Sequence, residues 1–274
     1  MPQLKLAFTS DLHLPITSRA AIAGLAREVA EFEPAALFLC GDIAESLNEL
    51  SMCLNLIRDH VNAPTYVLAG NHDLWARERS SRAKWESLLA QTVGNADCEW
   101  FEAGSWSKHG IAVTGTIAWY DYSAIDPSIH LPAEEIARQK KHFNVDATMI
   151  DWSWTDIEFA KQVADRFLAT LDRLEADSAV RQIIVATHVP IVECQMCRDS
   201  SQGDWAFSNA FFGNLTLGGE VLQRSKVSHI VSGHTHIERR GKALRAQGRP
   251  VEAIVIPSDY SNPSWVPLTL TYDA

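Results

Sequence analysis

Short apolar runs alternate with amphipathic segments through the first 70 residues of the chain. Residues 4–9 alternate and are largely apolar, and the polar pair Ser10-Asp11 follows them. Residues 36–40 (ALFLC) are continuously apolar. Strands that are covered on both faces have this pattern. The segment between them, residues 20–32, has the spacing of a helix that Thr17 or Ser18 could cap. The alternation therefore predicts βαβ units and a parallel sheet.

Similar runs recur along the rest of the chain. Helices are predicted over residues 47–60 and 155–176. Further strands are predicted at residues 65–69, 111–117, 182–187, 229–232, 252–256 and 268–272. Because the segments at about 119–151 and 189–217 lack a clear period, we expect a single domain over residues 1–274 that carries two irregular insertions.

The composition argues against several classes of protein. The chain has 274 residues and a formal net charge of −10, and it shows no basic stripe of the kind that binds extended nucleic acid. A small substrate is therefore favoured. No apolar run approaches the roughly 20 residues of a membrane helix, and the N-terminal apolar stretch is too short for a signal peptide. Five cysteines do not indicate a disulfide framework. We expect a cytoplasmic protein with no membrane partner, and the sequence leaves its oligomeric state open.

Five short groups of metal-ligand residue types each follow an apolar run. Such positions fit a site in an open α/β sheet, where ligands bind beyond the carboxyl ends of the strands. In an extended segment, residues i and i+2 point to the same side, so the ligands in D-x-H and H-x-H are each expected to face one point. Each group recurs alone by chance, whereas the ordered set predicts a metal site. The groups are Asp11-Leu12-His13, Gly41-Asp42, Gly70-Asn71-His72-Asp73, His188 and Gly233-His234-Thr235-His236.

This ordered series resembles the calcineurin-like metallophosphoesterase superfamily. The likeness extends from Asp11 to His236 and includes all five signature blocks. It implies a four-layer α-β-β-α sandwich, an α/β fold with a dinuclear metal site at the carboxyl ends of the strands. Oxygen and imidazole ligands suit Mn, which we favour, and also Fe, Zn or Co, better than Ca or Mg. The implied ligands are Asp11, His13 and His236 for the first metal, Asn71, His188 and His234 for the second, and Asp42 as a bridge between them.

The resemblance also implies a reaction, the hydrolysis of phosphate esters by a hydroxide that bridges two divalent ions. Such ions lower the pKa of the attacking water and neutralise the phosphate oxygens. His72 is outside the implied ligand set and would be the general acid that protonates the leaving group. Glu45 would accept a hydrogen bond from His72 and hold its tautomer.

The chain departs from the pattern of protein Ser/Thr phosphatases just after Asp42. Those enzymes have an Asp three residues and an Arg four residues further on, where this chain has Glu45 and Ser46. Ser46 cannot clamp a phosphate as an Arg fork does. We therefore predict a hydrolase of small phosphate esters, preferably diesters, with a phosphomonoesterase or a catalytically silent metal-binding scaffold as the alternatives. Other candidate cations, for each of which a solvated surface position is expected, are Arg77, Arg79 and Arg198.

Two further features have structural explanations. Trp75 and Trp119-Tyr120 could stack on an aromatic part of a substrate, although aromatic side chains more often fill cores. Cys194 and Cys197 form one C-x-x-C motif without a second pair. Two thiols in a loop are therefore expected rather than a zinc site.

Overall fold

The apolar runs become the strands of two sheets, with one hydrophobic core between the sheets and further cores beneath the helices on their outer faces. The computed structural model describes residues 2–198 and 204–272. The sheet orders are β11-β1-β2-β3-β4 and β5-β6-β7-β8-β10-β9. Within the first sheet β1 to β4 are parallel, and β11 runs antiparallel to β1. The strands are β1 Gln3–Thr9, β2 Ala36–Cys40, β3 Thr65–Leu68, β4 Glu99–Trp100, β5 Ser105–Lys108, β6 Ile111–Thr116, β7 Gln182–Thr187, β8 Val227–Ser232, β9 Arg239–Ala243, β10 Val251–Val255 and β11 Trp265–Thr271.

The helices cover the outer faces of the sheets. Ser18 caps the first of them by accepting a hydrogen bond from Ala21 N, and Thr155 forms a capping box with Glu158 at the start of the long helix. The α-helices are α1 Arg19–Phe32, α2 Leu47–Arg58, α3 Ser81–Ala83, α4 Leu89–Asn95, α5 Ala133–Phe143, α6 Asp146–Met149, α7 Asp156–Ala176, α8 Trp205–Ser208 and α9 Leu215–Val221. A π-helical segment, Lys84–Leu88, joins α3 to α4, and 3-10 turns form at His72–Leu74, Glu193–Gln195 and Asn209–Phe211.

Alternation along the strands produces the layers. In β2, Phe38 and Cys40 point into the core between the sheets, whereas Leu37 and Leu39 point into the core beneath α1 and α2. Each fully buried apolar side chain of this size stabilises the fold by about 1.5–3 kcal/mol. In the second sheet, the alternate residues of β7 pack against α7 or against the first sheet. The chain is therefore a four-layer α-β-β-α sandwich, which confirms the predicted fold.

The two segments without a clear sequence period contain regular structure after all. Residues 119–151 include α5 and α6, and the described part of 189–217 includes α8 and the start of α9. These helices are short and are fixed by tertiary packing rather than by a long amphipathic pattern, and the two insertions stay a prediction. The single-domain division stays a prediction. Among the described residues, none of the helices combines the length and apolar character needed to cross a membrane.

Candidate metal centre

The candidate ligands lie in loops that directly follow the strands, and their backbone is not extended. Asp11, His13, Asp42, His234 and His236 all have positive φ, between 45° and 72°. The prediction that D-x-H and H-x-H converge through an extended backbone was therefore wrong. Left-handed backbone costs of order 1–3 kcal/mol for a non-glycine residue and persists only where the surroundings impose it. Here the loops are tied together, because Asp11 N donates to Gly41 O at 2.9 Å and His13 N donates to Asp42 O at 3.0 Å.

Gly41 shows how closely these loops approach one another. Its φ is +91°, and a Cβ at this position would lie 2.6 Å from His188 Nδ1. A side chain would therefore clash with the imidazole as well as strain the backbone. The glycine before Asp42 lets the end of β2 pass directly beside the end of β7.

The first group of candidate ligands combines residues from both sheets. Asp11 and His13 follow β1, and His236 follows β8. His236 Nε2 lies 3.5 Å from Asp11 Oδ1 and 3.1 Å from His13 Nε2. One ligand atom from each of the three residues lies within 4.8 Å of the others. These three side chains therefore face a common point.

The second group is built in the same way. Asn71 follows β3, while His188 and His234 follow β7 and β8. His188 Nε2 lies 3.0 Å from Asn71 Oδ1 and 3.2 Å from His234 Nδ1. All three residues of the second group are buried, whereas His236 of the first group is partly exposed, so the second group is the more enclosed of the two.

Asp42 lies between the two groups. Its Oδ2 is 3.7 Å from His13 Nε2, and its Oδ1 is 3.5 Å from His188 Nε2. The backbone N–H of His72 donates to Oδ1 at 2.8 Å and fixes the orientation of the carboxylate. One oxygen of Asp42 thus faces each group.

Three of the histidines are oriented by acceptors on the side away from the centre. Carbonyl and carboxylate oxygens can only accept hydrogen bonds, so the nitrogen that contacts them carries a proton and the other nitrogen can direct a lone pair inward. The inward lone pairs of His188 Nε2 and His234 Nδ1 then face each other 3.2 Å apart and repel unless a proton or a metal ion lies between them. The residues therefore fit divalent cations. The acceptors are Cys40 O for His188 (2.9 Å), Phe211 O for His234 (3.0 Å) and Asp259 Oδ1 for His236 (3.2 Å).

The pKa shifts show that each group attracts positive charge. Burial favours the neutral form of Asp42, but His188, His72 and His13 together outweigh it and hold the pKa of Asp42 well below its usual range. Burial likewise favours neutral His188, yet Asp42 raises the pKa of His188 to about 9. In the first group, Asp11 raises the pKa of His236 to about 9 against the effect of burial. Cations bound in both groups would balance the negative charge of the same carboxylates.

His72 lies beside the two groups. Its Nε2 is 3.8 Å from Asp42 Oδ2, and its Nδ1 is 3.5 Å from Glu45 Oε1, which is an ion-pair distance rather than a well-formed hydrogen bond. Its ring stacks on Trp75 with centroids 3.7 Å apart. Burial lowers the pKa of His72, but Asp42 and Glu45 outweigh burial and raise it. Lys84 links the backbones of the two residues that contact His72, because its Nζ donates to Glu45 O and Trp75 O at 2.8 Å each.

The sequence profile described as calcineurin-like phosphoesterase matches residues 4–238. The chain belongs to this family. It is a metallophosphoesterase, as its sequence blocks predicted. The sequence matches none of the curated proteins with which it was compared.

Three solved structures illustrate the shared fold of this phosphoesterase. Phosphopantetheinyl hydrolase from Mycobacterium tuberculosis is 21% identical with a TM-score of 0.66, and the alignment covers 96% of each chain. A dimetal phosphatase from Danio rerio is 13% identical with a TM-score of 0.55, covering 92% of this chain and 87% of that one. A purple acid phosphatase from yellow lupin is 12% identical with a TM-score of 0.51, covering 96% of this chain and 45% of that one.

A cleft of about 400 Å³ opens above the candidate metal centre of the phosphoesterase. Within the described part of the chain, neither lysine nor arginine lines it. Its walls away from the centre are largely aromatic or apolar and come mostly from the two segments that interrupt the sheets. Besides Asp42, Asn71, His72, His234 and His236, the lining includes Trp75, Phe143, Val145, Asp146, Trp205, Phe212, Asp259 and Tyr260.

The three arginines suggested from the sequence do not line the cleft. Arg77 pairs with Glu45 and lies over the ring of Trp75. Arg198 pairs with Glu193, and Arg79 is exposed. Arg77 is exposed, as expected, although its charge reaches Glu45, the partner of His72. Arg198 departs more from the expected solvated position, because its side chain is only 23% exposed and also donates to Ala124 O.

The aromatic and cysteine candidates divide between cleft and core. Trp75 lines the cleft, whereas Trp119 and Tyr120 are completely buried.

Cys194 and Cys197 are free thiols. Cys194 lies in the 3-10 turn Glu193–Gln195, and among the described residues neither cysteine belongs to a group of candidate metal ligands.

Sequence analysis missed Asp146, which is 1% exposed and lines the cleft. It accepts hydrogen bonds from Asn71 Nδ2 at 2.9 Å, Trp75 Nε1 at 2.7 Å and Tyr120 OH at 2.9 Å. A single aspartate in a charged, aperiodic segment has no sequence signature. Only the tertiary structure brings it to the candidate ligands.

Proposed function

We propose that this phosphoesterase hydrolyses small phosphate esters, with a preference for diesters, in the cleft above the candidate metal centre. The observation that carries the proposal is the convergence of the predicted ligands from two sheets, with the inward nitrogens of three histidines directed by acceptors behind them. Such outer contacts orient the ligands of metal sites and raise their basicity.

Two divalent ions, of which we favour Mn, would be held by the two groups. The first group comprises Asp11, His13 and His236, and Asp42 joins it to the second. When bound, such ions acidify a water molecule and neutralise the oxygens of the phosphate. The second group comprises Asn71, His188 and His234.

His72 would donate the proton that the leaving group needs. It lines the cleft beside Asp42 while its side chain is only 13% exposed, so it can face the substrate in a largely desolvated position. Glu45 lies on the opposite side of the ring and would keep Nδ1 protonated, which leaves Nε2 to face the reaction. Stacking on Trp75 limits rotation of the ring.

The charge of the cleft supports diesters over monoesters. At neutral pH a phosphomonoester carries about −1.5 to −2 charges, whereas a diester carries a single charge. Ser46, at the position where protein phosphatases have an Arg, caps α2 by accepting from Glu49 N. Since neither lysine nor arginine of the described residues lines the cleft, the positive charge there must come from the metal ions and the histidines, which is a smaller demand for a diester.

The test is a substrate screen with Mn-loaded protein. Bis(p-nitrophenyl) phosphate and p-nitrophenyl phosphate share a leaving group, so their kcat/KM ratio isolates the preference for a diester. We expect a ratio of at least about tenfold, which corresponds to about 1.4 kcal/mol. A reversed ratio would identify a monoesterase. Cyclic nucleotides and a phosphopantetheinyl ester extend the screen, and protein that binds no Mn and turns over none of these substrates would refute the proposal.

A further inference from the structure

Asp146 is a buried carboxylate that no step of the proposed reaction uses. It begins α6, in the segment that separates β6 from α7. Its three hydrogen-bond donors are Asn71, Trp75 and Tyr120. We infer that Asp146 is a positioning residue that orients Asn71 toward the second metal ion and holds Trp75 against His72. The inference rests on the proposed role of Asn71 as a ligand.

The orientation of Asn71 follows from hydrogen-bonding chemistry. An ionised carboxylate only accepts hydrogen bonds, so the group of Asn71 that contacts Asp146 Oδ1 at 2.9 Å is its NH₂ group. The amide oxygen then points the other way, 3.0 Å from His188 Nε2. If the amide turned over, two oxygens would face each other at Asp146 and the NH₂ group would face the cation. Asp146 therefore selects the only orientation in which Asn71 can bind a metal.

The same carboxylate is itself firmly held. Trp75 Nε1 donates to Oδ1, the oxygen that also contacts Asn71, and Tyr120 OH donates to Oδ2. Trp75 in turn stacks on His72. One carboxylate thus contacts a candidate ligand and the ring that packs on the proposed general acid.

Two substitutions separate the hydrogen bonds of Asp146 from its volume. Asp146→Ala removes every acceptor at once. Asp146→Asn keeps an oxygen for Asn71 and Trp75, and its new NH₂ group can donate to the Tyr120 oxygen. We expect Asp146→Ala to weaken the second Mn²⁺ site by roughly 10–100-fold, which is the usual cost of losing an outer contact of a metal ligand. Asp146→Asn should restore most of that affinity.

Asp156 provides a matched control. It is also buried, at 8% exposure, and it accepts hydrogen bonds from Trp119, Tyr122 and Lys140. Neither Asn71 nor Trp75 is among the donors to its carboxylate. Asp156→Asn should therefore lower stability without changing the affinity for either ion. Asn71→Ala is the reference for complete loss of this ligand.

The experiment titrates Mn²⁺ into metal-free wild type and variants by calorimetry and follows the spin-coupled Mn pair by EPR. Circular dichroism confirms folding, and Asp146→Ser replaces the alanine variant if that protein does not fold. Loss of the second site in Asp146→Ala with recovery in Asp146→Asn supports the inference. Wild-type affinity in the alanine or serine variant, or an equal loss in Asp156→Asn, overturns it. If Asn71→Ala itself keeps both sites, the proposed ligand set fails instead.

Discussion

Replacement of His72 by alanine separates the proposed proton donor from the metal centre. The contact that fixes Asp42 comes from the backbone N–H of His72, 2.8 Å from Oδ1. Alanine keeps this N–H, so the carboxylate between the two groups should retain its orientation. We therefore expect His72→Ala to bind two Mn ions with near wild-type affinity and to lose activity.

The size of the loss should depend on the leaving group. General acid catalysis contributes roughly 10²–10⁴-fold, which is about 3–5 kcal/mol of transition-state stabilisation. An alkyl leaving group needs the proton and should show the whole loss in kcat. A p-nitrophenyl leaving group is stable as an anion, so it should lose less than about tenfold.

The assay measures kcat for a methyl and a p-nitrophenyl diester with both proteins at equal metal content. Glu45→Gln is the graded control, because it keeps the shape of the side chain while removing the charge 3.5 Å from His72 Nδ1. Its loss should be smaller but should follow the same order of leaving groups. Equal losses of kcat for the two diesters in His72→Ala would show that His72 is not the proton donor.

Three further predictions concern metal binding and stability. Asp42→Asn should abolish binding of the ion pair, and a variant that retains two tightly bound Mn ions by elemental analysis would contradict its bridging role. Chelation should lower the Tm of wild type, because Mn at about 100 times its Kd stabilises the folded state by about 3 kcal/mol; the Tm of Asp42→Asn should respond much less, and an equal response would argue against it. Burial raises the pKa of Glu102 to about 7, although Thr116 and Ile117 N–H donate to its carboxylate. The folded chain therefore keeps a proton that the unfolded chain loses near 4.5, so stability should fall by on the order of 3 kcal/mol as pH rises from about 4.5 to 7. Urea unfolding at several pH values should show this slope in wild type and not in Glu102→Gln; parallel curves would refute the assignment.

Strands with a buried, continuous apolar run could be predicted from the sequence, whereas the edge strands β4, β5 and β9 could not; the edge strand β11 was predicted in part, at residues 268–272. The run at 36–40 coincides with β2, because both faces of that strand are covered. β9 has the sequence RRGKA and alternates between exposed and partly buried positions, and β4 has only two residues. Such strands are defined by pairing with a neighbour rather than by their own composition.

The candidate site could be predicted in its residue types and order but not in its local geometry. Because parallel strands share a direction, the motif positions at strand ends place Asp11 and Asp42 at one edge of the first sheet and His188 and His234 at one edge of the second. Five of the candidate ligands have left-handed backbone, which depends on hydrogen bonds between loops that are distant in sequence. Asp146 could not be found for a similar reason, since its role depends on contacts across 75 residues to Asn71.

The origin of the ligands in both sheets has a mechanical consequence. The first group joins the loop after β1 to the loop after β8, and the second joins β3 to β7 and β8. Neither half of the sandwich would by itself supply all the candidate ligands of either ion. A shift of one sheet against the other would separate the ligands of both ions at once. The binding of the two ions and the relative position of the two sheets should therefore be thermodynamically coupled.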